Sequence, residues 1–181
     1  MLRDNSLIPS EAVRLAALGE LSGGPRTYGD LALAVRHFIG HLTGPSLDLM
    51  GTSIELLRLE GLIAATDGGR GQVTPETRLA ITAAGDTELK TLLTAQIRAP
   101  FNEVGRLTLA LKLRFLHLLD ADARRAQIDA AIEACAGEIA RLTALRAELD
   151  AEDGLLPGWL DHDIAATEDR LAWFRARRAD I

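Results

Sequence analysis

Three groups of side chains in this sequence have types and spacings suited to chemistry. The first comprises Thr27, Tyr28, Thr52, Ser53, Arg58, Arg70 and Arg78. Small hydroxyls ahead of an apolar run suit the first turn of a helix. Unpaired N–H groups there, together with a hydroxyl, can hold an anionic oxygen such as a phosphate. Thr27 and Tyr28 open one such run, and Thr52 and Ser53 open another. Each also has a plainer use, as a cap, a solvated first turn or, for Tyr28, packing on the core. Arg70 stands in the tip Gly68-Gly69-Arg70-Gly71, from which an arginine can enter a narrow nucleic-acid groove. The tip is not a phosphate loop, because no Lys-Ser/Thr follows and no helix starts there.

The second group is His37 and His41, four apart and so on one helical face. No acidic or cysteine partner lies at ligand spacing nearby, and two ligands alone bind a metal weakly, so no metal is expected. The third is Asp161-His162-Asp163, whose acids suit the start of a helix, and Cys135, which falls at an apolar repeat position and should behave as a small apolar residue. Nothing assembles a nucleophile, a base and oxyanion donors, so neither an enzyme nor a cofactor is expected.

Bulk properties narrow the class. The chain of 181 residues carries a net charge of −6. Residues 1–90 hold 8 Lys/Arg against 11 Asp/Glu, and residues 91–181 hold 12 against 15, so neither half has the basic excess typical of a nucleic-acid-binding domain. The single cysteine excludes an intrachain disulfide framework. No stretch approaches the ~20 apolar residues of a membrane span, and the N-terminus lacks a signal layout. A cytoplasmic location is the expectation.

The elements that would position these residues follow from periodicity. Val13, Ala16, Ala17 and Leu21 form the stripe of a first helix, which breaks at Ser22-Gly23-Gly24-Pro25. Thr27 caps a second, with Asp30 in the capping-box position and Leu31, Ala34, Val35 and Phe38 inside. Met50, Ile54 and Leu57 line a third helix, which stops at Gly61 and passes at once into a strand, Leu62–Ala65. The glycine-rich tip follows, then a strand over Arg78–Ile81 and a corner at Thr82-Ala83-Ala84-Gly85. Helix, helix, helix, strand, tip, strand, helix is the order of a winged helix-turn-helix, here placed over residues 1–86.

Residues 87–181 read as helical throughout. A long pattern from Thr87 to Leu119 is interrupted at Ala99-Pro100. From about Asp122 to Leu149, Ile128, Ile132, Cys135, Ile139 and Leu142 alternate in steps of four and three, and Leu160, Ile164, Thr167, Leu171 and Phe174 repeat the spacing. A heptad face of this length in a short chain predicts an inter-subunit seam. Ile128, Ile132, Ile139, Leu142, Leu171 and Phe174 are its expected dimerisation residues, in a two-fold homodimer. The fold class expected is mainly α with a small β wing, a winged helix-turn-helix followed by a coiled-coil-like helical domain.

Three segments resemble the PadR family of transcriptional regulators, including its virulence-activator-like members. They are Gly24–Leu31, Ile54–Ile63 with its Glu60-Gly61-Leu62 ending, and Ile81–Gly85. An aromatic-basic last helix (Trp173, Phe174, Arg175) also suits that family. The resemblance implies a homodimer that binds double-stranded DNA, usually represses transcription, and sometimes answers to a small-molecule effector. Gly51, Glu55 and Leu56 stand where the family is commonly aromatic or basic, so the third helix is expected to supply less affinity than usual. The alternative expectation is a winged-helix protein-interaction module that has lost tight DNA binding.

Overall fold

A computed structural model describes residues 9–43, 53–68, 73–97, 103–149 and 154–181. The chain falls into two compact units: Met1–Ala95 with Glu103–Leu119, and Gln96–Asn102 with Asp120–Ile181. The first therefore extends beyond the boundary expected at residue 86.

In the first unit the elements run α1 (Pro9–Ser22), β1 (Arg26–Thr27), α2 (Tyr28–Thr43), α3 (Ser53–Leu59), β2 (Ile63–Ala65), β3 (Arg78–Ile81), α4 (Ala83–Thr94) and α5 (Glu103–Phe115), ending in a 3₁₀ turn at Leu116–Leu118. The strands form an antiparallel sheet in the order β1-β3-β2. Arg26 pairs with Leu79, and Ile63, Ala64 and Ala65 pair with Ile81, Ala80 and Leu79. The third strand, β1, is too short to announce itself in the sequence. It exists because β3 offers it a partner edge.

α1 is the hub. The expected single stripe of Val13, Ala16, Ala17 and Leu21 understates its burial, since Ala12, Leu15 and Leu18 are fully buried too. A helix buried over most of its circumference has to be surrounded, and α2, α3, α4, α5 and β3 all pack on it. The fit to α5 is close: a methyl group on Gly19 would overlap the Phe115 ring. Leu31, Val35 and Ile39 of α2, Ile54 and Leu57 of α3 and Leu107 and Leu111 of α5 complete the core. Each fully buried Leu or Ile contributes roughly 2 kcal/mol of transfer free energy.

Lys112 of α5 is only 2% exposed. Its Nζ donates to the carbonyl oxygens of Leu93 (2.5 Å) and Ala95 (2.6 Å), capping the carbonyls that the end of α4 leaves unpaired. Burial pushes its pKa down to about 7.

The second unit is built on α6 (Ala121–Ala147) and α7 (Leu156–Ala179), an antiparallel pair. Asp120 caps α6, accepting from the Ala123 N–H at 2.8 Å. Arg146 pairs with Asp161 at one end (2.9 Å) and Arg178 with Asp129 at the other (2.7 Å). Ile128, Cys135, Leu142, Leu160, Leu171 and Phe174 are buried within this single chain, whereas Ile132 and Ile139 are half-buried. The heptad pattern read as an inter-subunit seam is thus largely satisfied by α6 packing on α7. What remains outward is Leu145, Leu155, Leu156, Trp159 and Trp173, each at least 40% exposed.

Candidate nucleic-acid interface

The seven-residue α3 is held on its inner side by Ile54 and Leu57, both almost fully buried. Its C-terminal end is closed by a Schellman arrangement around Gly61, whose φ is +74°. The Gly61 N–H donates to the Arg58 carbonyl (3.0 Å) and the Leu62 N–H to that of Leu57 (2.9 Å). Two further ties fix the exit. Arg14 of α1 forms an ion pair with Glu60. The Thr82 hydroxyl shares its proton between the carbonyl oxygens of Gly61 (2.8 Å) and Leu62 (3.0 Å), while accepting from the Gly85 N–H (3.1 Å). A methyl group on Gly85 would overlap the Leu62 carbonyl oxygen, so only glycine lets the first turn of α4 approach this closely.

The outer side of α3 is unlike its inner side. Leu59 is 78% and Leu56 49% exposed, and Glu55 is exposed on the other flank of Leu59. Arg58 is half-buried and lines, with Leu59, Ile63, Ala64 and Gly68, a groove of about 410 Å³ between α3 and β2. Thr52 and Arg70 lie outside the described residues, as do the Ser53 side chain, Met50, Gly51, Pro100 and most of the glycine-rich tip.

Thr27 and Tyr28 stand at the start of α2, as expected, but its first N–H groups are engaged. Asp30 N–H donates to Thr27 Oγ1 (3.1 Å), Tyr28 N–H to the Thr77 carbonyl (2.9 Å) and Gly29 N–H to that of Pro75 (2.9 Å). What this terminus can offer an anion is therefore the Thr27 and Tyr28 side chains rather than a ring of free amides.

Arg78 belongs to a cluster that the sequence conceals. The Glu20 carboxylate is almost buried, and it receives Arg26 at 3.0 Å and Arg114 at 2.5 Å. Arg78 donates to the Pro25 carbonyl (3.3 Å), and the Arg114 guanidinium lies 4.8 Å from the Phe38 ring centroid. Together they frame an open cleft of about 620 Å³ that also takes in Thr27, Leu33 and His37. Arg114 is 94 positions from Glu20, and nothing local in the sequence signals the pairing.

The remaining candidates carry no visible chemistry. His37 and His41 rings lie 4.1 Å apart, with His41 Nδ1 2.8 Å from the His37 carbonyl oxygen. Among the described residues no three His, Cys, Asp or Glu are grouped to hold a metal. Asp161 is engaged by Arg146. Cys135 is buried, and that burial pushes its thiol pKa up, against the pull of the Arg170 charge. Among the described residues, no helix is long and apolar enough to cross a membrane.

Residues 2–177 match the family described as "Putative AphA-like transcriptional regulator". The chain belongs to this AphA-like family. The PadR-like, winged-helix regulator class expected from Ile54–Ile63 and Ile81–Gly85 is borne out. An AphA-like chain is a regulator of transcription, and the family does not point to an enzyme. No curated protein matches it. Among solved structures, that of Bacillus subtilis PadR in complex with operator DNA matches at 16% identity, covering 96% of this chain and 100% of that one, with a TM-score of 0.39.

Proposed function

We propose that this AphA-like regulator acts as a homodimer on double-stranded DNA, with one α3 from each protomer in a major groove. The observation that supports this most directly is the asymmetry of α3. It is anchored at its inner face by Ile54 and Leu57 and at its exit by Arg14, Gly61 and Thr82, while Glu55, Leu56 and Leu59 are left outward. A firmly held helix with an unburied outer face is what groove insertion requires. Thr27, Tyr28, Thr52, Ser53, Arg58, Arg70 and Arg78 are the proposed DNA-contacting residues, mostly to phosphate. In this reading the domain expected over residues 1–86 binds DNA, with α4 and α5 packed on its α1, and within residues 87–181 it is α6 and α7 that dimerise.

Dimerisation through the second unit is supported by Leu145, Trp159 and Trp173, which one chain leaves exposed. Ile132 and Ile139, half-buried, extend that surface. Repression, relieved by a small-molecule effector, completes the proposal. The cleft framed by Arg26, Arg78 and Arg114 has the volume of a small-molecule site.

A rival reading, a protein-interaction module without tight DNA binding, is favoured by the lack of a basic residue among the three most outward positions of α3. A gel shift with the chain's own promoter region at low salt separates the two. Retardation that fades steeply with added salt is expected from the first and no retardation from the second. Light scattering at micromolar concentration tests the dimer.

A further inference from the structure

The outer face of α3 carries chemistry that selects among bases more than it binds phosphate. Successive residues of a helix are 100° apart, so with Ile54 and Leu57 inward, Leu59 lies opposite the core, flanked by Glu55 and Leu56. Nearby Glu60 is neutralised by Arg14. The face is thus two exposed leucines and one carboxylate. A leucine side chain has no donor or acceptor, and the only apolar group on a major-groove base edge is the C5-methyl of thymine. An ionised carboxylate is acceptor-only, and it suits the exocyclic amino group of cytosine. Leu56 lies nearer than Leu59 to the N-terminal end of α3, the end of a reading helix that approaches base edges.

We propose that Leu56 reads a thymine C5-methyl group and Glu55 a neighbouring cytosine amino group in each half-site. This rests on the DNA-binding reading above and goes further, since it names the bases by their chemistry. Because neither residue attracts phosphate, this outer face discriminates between sequences without adding non-specific affinity. The bulk of the binding free energy then comes from outside its outer face.

The test uses the full-length protein. Duplexes are first selected from a random library, and each thymine of the selected site is then replaced in turn by deoxyuridine, which deletes the methyl group and leaves base pairing intact. Fluorescence anisotropy at fixed salt should show, at one thymine position per half-site, a loss of about fourfold for each methyl removed, the factor for one buried methyl group. The exposed-site variant L56A should bind thymine and uracil duplexes equally. E55Q should relax the preference at an adjacent cytosine while retaining the thymine–uracil difference. If no thymine position responds to uracil, or if L56A still discriminates, the assignment is overturned although DNA binding stands. If no duplex is selected at low salt, the DNA-binding reading itself fails.

Discussion

The first turn of α4 meets the corner between α3 and β2 at Gly85, whose missing side chain leaves room for the carbonyl oxygen of Leu62. Thr82 fastens the same corner by hydrogen bonds to Gly61 and Leu62. G85A should therefore destabilise the protein by about 3 kcal/mol, because the overlap is with backbone, which cannot swing away. T82A should lose about 1 kcal/mol through the lost cap. Urea denaturation followed by circular dichroism reads both. A G85A protein as stable as the parent would show that the corner is looser than described.

Lys112 should impose an unusual pH dependence on stability. Its folded pKa of about 7 lies below the ordinary lysine value. Between about pH 7 and pH 10 the unfolded chain therefore binds the extra proton. Stability contributed by this group rises with pH across that window, by at most about 1.4 kcal/mol per pH unit. Below pH 7 both states are charged and the contribution is flat. Thermal melts of the parent and K112M, compared from pH 6 to pH 10, should diverge in slope across that window.

Glu20 holds Arg26 and Arg114 together from an almost buried position. Both arginines keep over 40% of their side-chain surface exposed, so losing the carboxylate leaves two hydrated cations rather than two buried ones. E20Q should thus lose only about 1–2 kcal/mol. A double-mutant cycle with R114A should return a coupling of at least half a kilocalorie, on the order of that for other partly buried ion pairs.

In the α6–α7 pair, packing should far outweigh charge. Phe174 is 1% exposed, and F174A should cost about 3–5 kcal/mol. Arg178 and Asp129 are both partly exposed, so water screens their pairing and R178A should cost far less than F174A. Denaturation midpoints of the two variants give the ranking directly.

Cys135 should resist thiol reagents in the native protein, because it is buried and its pKa is raised. Alkylation by a maleimide should proceed only as fast as the α6–α7 pair opens. It should accelerate in F174A while remaining slow in R178A.

Local signals were the legible ones. The Thr82-to-Gly85 corner, the Thr27 cap and the inward Ile54 and Leu57 stand in the structure where the sequence puts them, because capping and periodicity operate within one or two turns. β1 was not legible, since two residues carry no period. The Glu20 cluster and the Arg14–Glu60 pair join distant segments, which only the finished fold brings together. The heptads of α6 and α7 were legible as faces but not as pairings. Periodicity says that Leu142 and Phe174 must be covered, and not whether the cover comes from the same chain.

The interleaving of the first compact unit has a consequence for how it is made. α1 is synthesised before the helices that pack on it, yet Phe115 and Arg114, which cover Gly19 and Glu20, come about a hundred residues later. Until Leu119 has been synthesised, α1, with Ala12, Leu15 and Leu18 fully buried in the finished unit, lacks one of its walls. The early segment must wait exposed, a long-range closure of the kind that slows folding and invites aggregation. Nascent chains halted before residue 103 should be bound by chaperones, and those extended past residue 119 should be released.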